Sequence, residues 1–236
     1  MLLQKCCHDL DLILYFMRKH CRSVQSFGAL SYFRPENQPK GAADRCTDCP
    51  VEIESTCPAS AIKIYLRDRV NHGNTGWPVN LLTPNPTPET VAKALREGPY
   101  GRCAFKCDND VVDHQVVNLI FEDDSTAQMT MTAFAEGPRR TRIFGTKGEL
   151  EGDSTIIKVN NFLTGDVRTI DTNVVDDGNI TTGHGGGDGR LMEAFLRALE
   201  TGDRSYILSG IDETLESHTM VFQAEASRLS GQVCDI

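Results

Sequence analysis

Four short stretches of this sequence gather ionisable or sulfur-bearing side chains. The first is KCCHDLDLILYF, Lys5 to Phe16. On a helix, Lys5 lies three residues before His8 and four before Asp9, so the three side chains share a face. Imidazoles titrate near neutrality, and one beside a carboxylate and an ammonium makes a workable proton-transfer set. The same spacing suits a surface Lys5–Asp9 pair with His8 as a structural residue, and the residues alone leave both readings open. The second stretch, YGRCAFKCDNDVVDHQ, crowds Arg102, Lys106, Asp108, Asp110, Asp113 and His114 just ahead of a strand. Such a mixture fits a polar pocket or a solvated loop.

The third stretch is GHGGGDGR, with three glycines between His184 and Asp188. Glycine lets backbone approach a ligand closely. The helix that follows can turn its first N–H groups toward an anionic or hydroxylated ligand. The stretch lacks the lysine and serine of a P-loop, and glycine runs also serve as plain turns. The fourth is RCTDCPVEIESTCP, carrying Cys46, Cys49 and Cys57. A C-x-x-C pair is half of a zinc site, which Cys103, Cys107 or Cys7 could complete through space. Reduced thiols, some of them packed in the core, are the other reading.

These residues need elements to position them. Lys5 to His20 reads as a helix, apolar on most of its surface after Leu10 and therefore buried. Ser23 to Phe33 reads as a strand, and Arg34 to Arg45 as a polar loop. A short helix is expected at about Ala59 to Arg67, then a proline-rich loop from Asn71 to Pro88. Thr87 as N-cap and Pro88 at the first helical position open a helix that ends at Gly98. HQVVNLIFEDDSTAQMTMTAF reads as two strands around a turn at Asp123 and Asp124, the second alternating Ala127, Met129, Met131 and Ala133 with polar residues. Further strands are expected at Arg140 to Phe144, Thr155 to Asn160 and Val167 to Ile170, joined by the turns GTKGEL and LTGD. Helices at Leu191 to Leu199 and Asp212 to Leu229 close the chain, the last with a Ser209–Asp212 capping-box spacing. Consecutive strands on tight turns, with helices grouped around them, mean a single α+β domain over residues 1–236: an open, mainly antiparallel sheet with helices packed on one face. No G-x-G-x-x-G follows an opening strand, so the chain is not expected to bind a dinucleotide alone.

The totals set the outer limits. The chain has 236 residues, 39% hydrophobic and 24% charged, an ordinary globular balance. A formal charge of -9 argues against a nucleic-acid partner, which would need a basic stripe. No apolar run is long enough to span a bilayer, and Lys5, His8, Asp9 and Asp11 interrupt any signal-peptide core. A cytoplasmic location is therefore expected. Nine cysteines, an odd number, argue against a disulfide framework.

In order, KCCHDLDLI, SFGALSYF, RCTDC…CPASAIKIYL, YGRCAFKCDNDVVDHQ, GTKGELEGD and GHGGGD resemble the C-terminal domain of the Gfo/Idh/MocA oxidoreductases. The resemblance covers nearly the whole chain. It implies an open antiparallel sheet backed by helices, like the C-terminal domain of dihydrodipicolinate reductase, and homo-oligomer contacts through the sheet. It implies a sugar, inositol or related polyol as substrate and NAD(P) as cofactor, held mainly by a Rossmann domain that this sequence lacks. The chain is then a truncated product, an expressed domain, or half of a split enzyme working with a separate Rossmann chain. The resemblance makes His8 the general acid/base, with Lys5 as its helper. Asp9, His184 and Asp188 would contact substrate hydroxyls. Family members often carry an aspartate four residues before the histidine; here that position is Gln4, which can orient an imidazole but not share its charge. The alternative is a non-catalytic binding or assembly module, with a structural zinc on Cys46, Cys49 and Cys57 or none.

Overall fold

The computed structural model describes residues 1–172 and 187–236, which divide into two compact units. The first comprises Met1–Leu10, His20–Ala133 and Thr219–Ile236; the second comprises Asp11–Lys19 and Phe134–His218.

The first unit is built on a four-stranded antiparallel sheet: β1 (Cys21–Ala29), β2 (His114–Phe121), β3 (Thr126–Thr132) and, at the chain end, β8 (Cys234–Asp235), in the order β3-β2-β1-β8. In β2, Gln115, Val117, Leu119 and Phe121 are buried while the residues between them are half-exposed. This period-two pattern gives the sheet one covered face. The far end of the last helix, α5 (Ile211–Ser230), lies on that face. The Ser227 hydroxyl oxygen accepts from the Ser26 N–H at 3.0 Å. Gln115 donates to the Ser26 hydroxyl, which donates in turn to the Val116 carbonyl. These buried polar groups are thus partnered, as a low-dielectric interior requires.

Between β1 and β2 runs a segment of short helical turns. It contains α2 (Val51–Glu54), a π-helical turn at Ile62–Arg67 and α3 (Pro88–Glu97). Thr87 caps α3 through a reciprocal capping box with Thr90, and the helix stops at Gly98, as its sequence predicts. Val91 and Leu95 of α3 pack with Ala61, Val70 and Val79 into a separate small core. Gly101 lies so close behind α3 that a Cβ there would stand 1.7 Å from the Leu95 carbonyl oxygen.

The second unit holds another antiparallel sheet, β4 (Thr141–Phe144), β5 (Gly148–Gly152), β6 (Ile156–Asn161) and β7 (Val167–Asp171), in sequential order. Here GTKGEL is not merely a turn: Gly148–Gly152 is a strand paired on both sides. Gly148 is required by the close approach of the Asn160 carbonyl, 2.3 Å from where a Cβ would sit. The unit also contains α4 (Gly187–Thr201) and the start of α5. The expected Ser209–Asp212 box does not form. Glu213 takes the Gly210 N–H, and Ser209 turns its hydroxyl to Asp11 at 2.8 Å.

Helix α1 (Cys7–Met17) departs from the expectation of a fully buried helix. Leu10 and Leu14 are buried, but Leu12, Tyr15 and Phe16 are exposed. The class is α+β with antiparallel sheets, as the sequence predicts, with the strands shared between two sheets. Among the described residues, no helix is long and apolar enough to cross a membrane.

Candidate functional site

The opening stretch sorts its residues by face. Leu2 and Cys6 of a π-helical turn (Leu2–Cys6), with Cys7, Leu10 and Leu14 of α1, turn inward. Gln4, Lys5 and His8 are exposed, and Asp9 and Asp11 are half-buried. The apolar side chains thus anchor the helix start, and an imidazole, an ammonium and an amide remain open to solvent. That arrangement can exchange a proton with a ligand hydroxyl. Asp188 lies exposed in the first turn of α4. His184 lies outside the described residues.

The charged stretch before β2 separates into two parts. Arg102 pairs with Asp108 at 2.9 Å, and Lys106 pairs with Asp44; all four side chains are largely solvent-exposed. Asp113 is buried instead. Its carboxylate accepts from the N–H groups of Ser31 (2.9 Å), Tyr32 (2.7 Å) and Phe33 (3.4 Å) and from the Ser31 hydroxyl (3.1 Å). His114 Nδ1 stands 2.8 Å from the same carboxylate. Burial pushes the Asp113 carboxyl up, but the Tyr32 N–H, His114 and both Ser31 donors outweigh it and hold the group far below the ordinary carboxylate range. The strand start and the turn after β1 are thereby pinned together. Composition hints at Asp113 only weakly, because its Ser31, Tyr32 and Phe33 partners lie some eighty residues away in sequence.

Cys46, Cys49 and Cys57 do share a pocket, but not as a metal centre. They line it with Cys103, Arg45, Glu54 and Ser60. Among the described residues, no group of three or more histidine, cysteine or acidic side chains is placed to hold a metal ion. Burial pushes the Cys46 and Cys57 thiols up. The expected zinc site on Cys46, Cys49 and Cys57 is therefore not supported. Around the pocket, buried Glu54 accepts from Ser60 and, at 2.6 Å, from Arg67. Arg45 donates to the carbonyls of Leu95 (2.7 Å) and Gly98, closing the C-terminal end of α3. Of the residues named as able to join these cysteines through space, Cys103 does line the pocket, whereas Cys107 and Cys7 do not; the cysteine spacing gave no sign of Glu54 or Arg45.

The paired strands of both sheets are antiparallel, and no G-x-G-x-x-G loop follows a strand. The parallel-strand crevice that holds a pyrophosphate is not among the described elements.

No family model matches the chain, and no curated protein matches it. Solved structures do. Aldose-aldose oxidoreductase from Caulobacter crescentus, complexed with glycerol, is 11% identical with a TM-score of 0.51 over 98% of this chain and 45% of its own. A protein described as an NADPH-dependent oxidoreductase from Desulfitobacterium hafniense is 12% identical with a TM-score of 0.52 over 99% of this chain and 47% of its own. This is the fold of the C-terminal domain of Gfo/Idh/MocA-type oxidoreductases. A super-repressor mutant of Gal80p from Saccharomyces cerevisiae is also similar, at 9% identity and a TM-score of 0.53, over 100% of this chain and 49% of its own. The chain spans just under half the length of each of these three structures. At these identities the likeness to Gfo/Idh/MocA-type structures is one of fold.

Proposed function

We propose that this chain is the substrate-binding and oligomerisation domain of a cytoplasmic NAD(P)-dependent oxidoreductase acting on a sugar, inositol or related polyol. The observation that carries the reading is the agreement in fold, over 98% of the chain, with an enzyme named as an aldose-aldose oxidoreductase. The exposed imidazole at the start of α1 supports it further. His8 takes the proton from a substrate hydroxyl as the carbon is oxidised, and Lys5 sits beside it as the nearest cation in the sequence. Asp9, half-buried one residue on, accepts from a second hydroxyl. Since the described residues offer no dinucleotide crevice, the nicotinamide belongs to a separate Rossmann domain in this reading, and this chain's part is confined to holding the polyol and moving its proton.

Calorimetric titration of the purified chain with myo-inositol, glucose and glycerol tests this. At least one polyol should bind with a millimolar constant, and His8→Ala should weaken it about tenfold or more. With NAD(P) and the same panel, the chain alone should produce no NAD(P)H. Absence of binding to every polyol, or turnover without a partner, contradicts the proposal.

A second reading, a non-catalytic binding or assembly module, is favoured by one observation: the fold is shared with Gal80p, of which a super-repressor mutant is the matching structure. Gln4 in place of a carboxylate agrees with it. Unchanged polyol affinity in His8→Ala would favour this reading.

A further inference from the structure

The loop that carries the chain's single tryptophan has no part in the proposed function. From Val70 to Thr87 it holds no lysine, arginine, aspartate or glutamate, in a chain whose residues are 24% charged. Its first half is fastened at both ends: Val70 and Val79 are 5% and 0% exposed in the small core that α3 shares. Between these two anchors the backbone is closed by its own hydrogen bonds. The N–H groups of His72 and Asn74 donate to the Arg69 carbonyl at 2.9 and 3.1 Å. Those of Val79 and Asn80 donate to the Gly76 carbonyl at 2.8 and 3.2 Å. The Asn74 side-chain oxygen accepts from the Gly76 N–H at 3.3 Å. Trp77 stands out from this frame with 72% of its surface exposed. A large apolar ring is a side chain that packing normally covers, and the fastened loop holds this one in water. On the same loop Asn71, His72, Asn74, Thr75 and Asn80 are exposed as well.

We propose that Trp77 is the platform of a saccharide-binding site that takes the ring of a neutral pyranose. A pyranose turns a face of C–H groups outward and carries its hydroxyls round the rim. The slightly positive C–H groups lie flat on the electron-rich face of an indole. Each rim hydroxyl both donates and accepts. A primary amide offers donors and an acceptor together, and threonine and histidine side chains offer both kinds of group. Such uncharged partners suit a neutral ring, because an ion would first have to give up its water. A tryptophan already held in place loses little freedom when the sugar arrives. A protein partner would favour further apolar and aromatic side chains round the indole, and of the loop's large apolar residues only Leu81 is exposed beside it. The site goes beyond the reading above, since it needs neither His8 nor a nicotinamide.

Fluorescence of the full chain tests this, because Trp77 gives all the emission when the five tyrosines are not excited. Cellobiose, maltose and glucose should each move the emission to shorter wavelength, saturably, with half-saturation in the millimolar range. Sorbitol and glycerol, which carry hydroxyls but no ring, should leave it in place. In calorimetry, cellobiose should release heat with the wild type and with His8→Ala, and Trp77→Ala should lose that heat. The exposed indole can be removed without opening the core; should Trp77→Ala fail to fold, the wild-type emission decides alone. The proposal is overturned if no ring sugar moves the emission, or if sorbitol and glycerol move it equally. It is also overturned if the emission moves with protein concentration and not with sugar, as a second copy of this chain over the indole would make it do. The emission reads Trp77 alone, so failure here leaves the His8 titration to decide the oxidoreductase reading.

Discussion

Asp113 ties the residue before β2 to the turn after β1. Three consecutive backbone N–H groups, a hydroxyl and an imidazole nitrogen converge on one buried carboxylate. Removing its charge leaves those donors weakly satisfied in a site closed to water. Asp113→Asn should cost roughly 3 kcal/mol of unfolding free energy at pH 7, read by urea denaturation. The pH sign follows from the direction of its shift. A carboxyl held low in the folded state contributes stability that is fully present above its unfolded value of about 3.9 and is lost as pH falls into the acid range. The gap between wild type and Asp113→Asn should therefore narrow as pH falls from about 5 to 2. A constant gap would show that the charge is not what matters. In the sequence, Asp113 was one of six charged or titratable residues in a crowded stretch, with nothing local to single it out. Its importance comes from Ser31 to Phe33, and long-range hydrogen bonds leave no periodicity. Cys103 was one of three cysteines the sequence offered as a neighbour of the Cys46–Cys57 stretch, and only the fold picks it out from Cys107 and Cys7.

At the scale of elements, legibility followed the strength of local chemistry. Thr87 and Pro88 announce α3, since both the cap and the fixed proline φ act within one turn. The alternation in β3 likewise reflects a covered face. By contrast, β5 reads as a turn, because glycine and glutamate are poor strand formers and only its neighbours' backbones make it a strand. Helix α3 allows a comparison of local and packing terms. Leu95 is fully buried, and Leu95→Ala should cost about 3 kcal/mol. Thr87→Ala should cost about 1 kcal/mol, because it removes one exposed cap. Denaturation curves for the two variants check the order; a larger loss at Thr87 would mean that the small core around α3 contributes little.

For the whole molecule, the α+β class with antiparallel sheets was legible, because runs of short strands and grouped helices admit few layer arrangements. The sharing of strands between two sheets was not, since a strand pattern does not name its partners. The fold is that of Gfo/Idh/MocA-type C-terminal domains, and the chain covers just under half of the matching oxidoreductases. The most direct measurement of the proposed role is an NMR titration that follows the His8 imidazole signals, assigned by comparison with His8→Ala, while myo-inositol, glucose or glycerol is added. The account predicts a saturable shift of those signals with at least one polyol, weakened in Asp9→Ala. Signals of His8 that stay fixed through the titration with all three would contradict it.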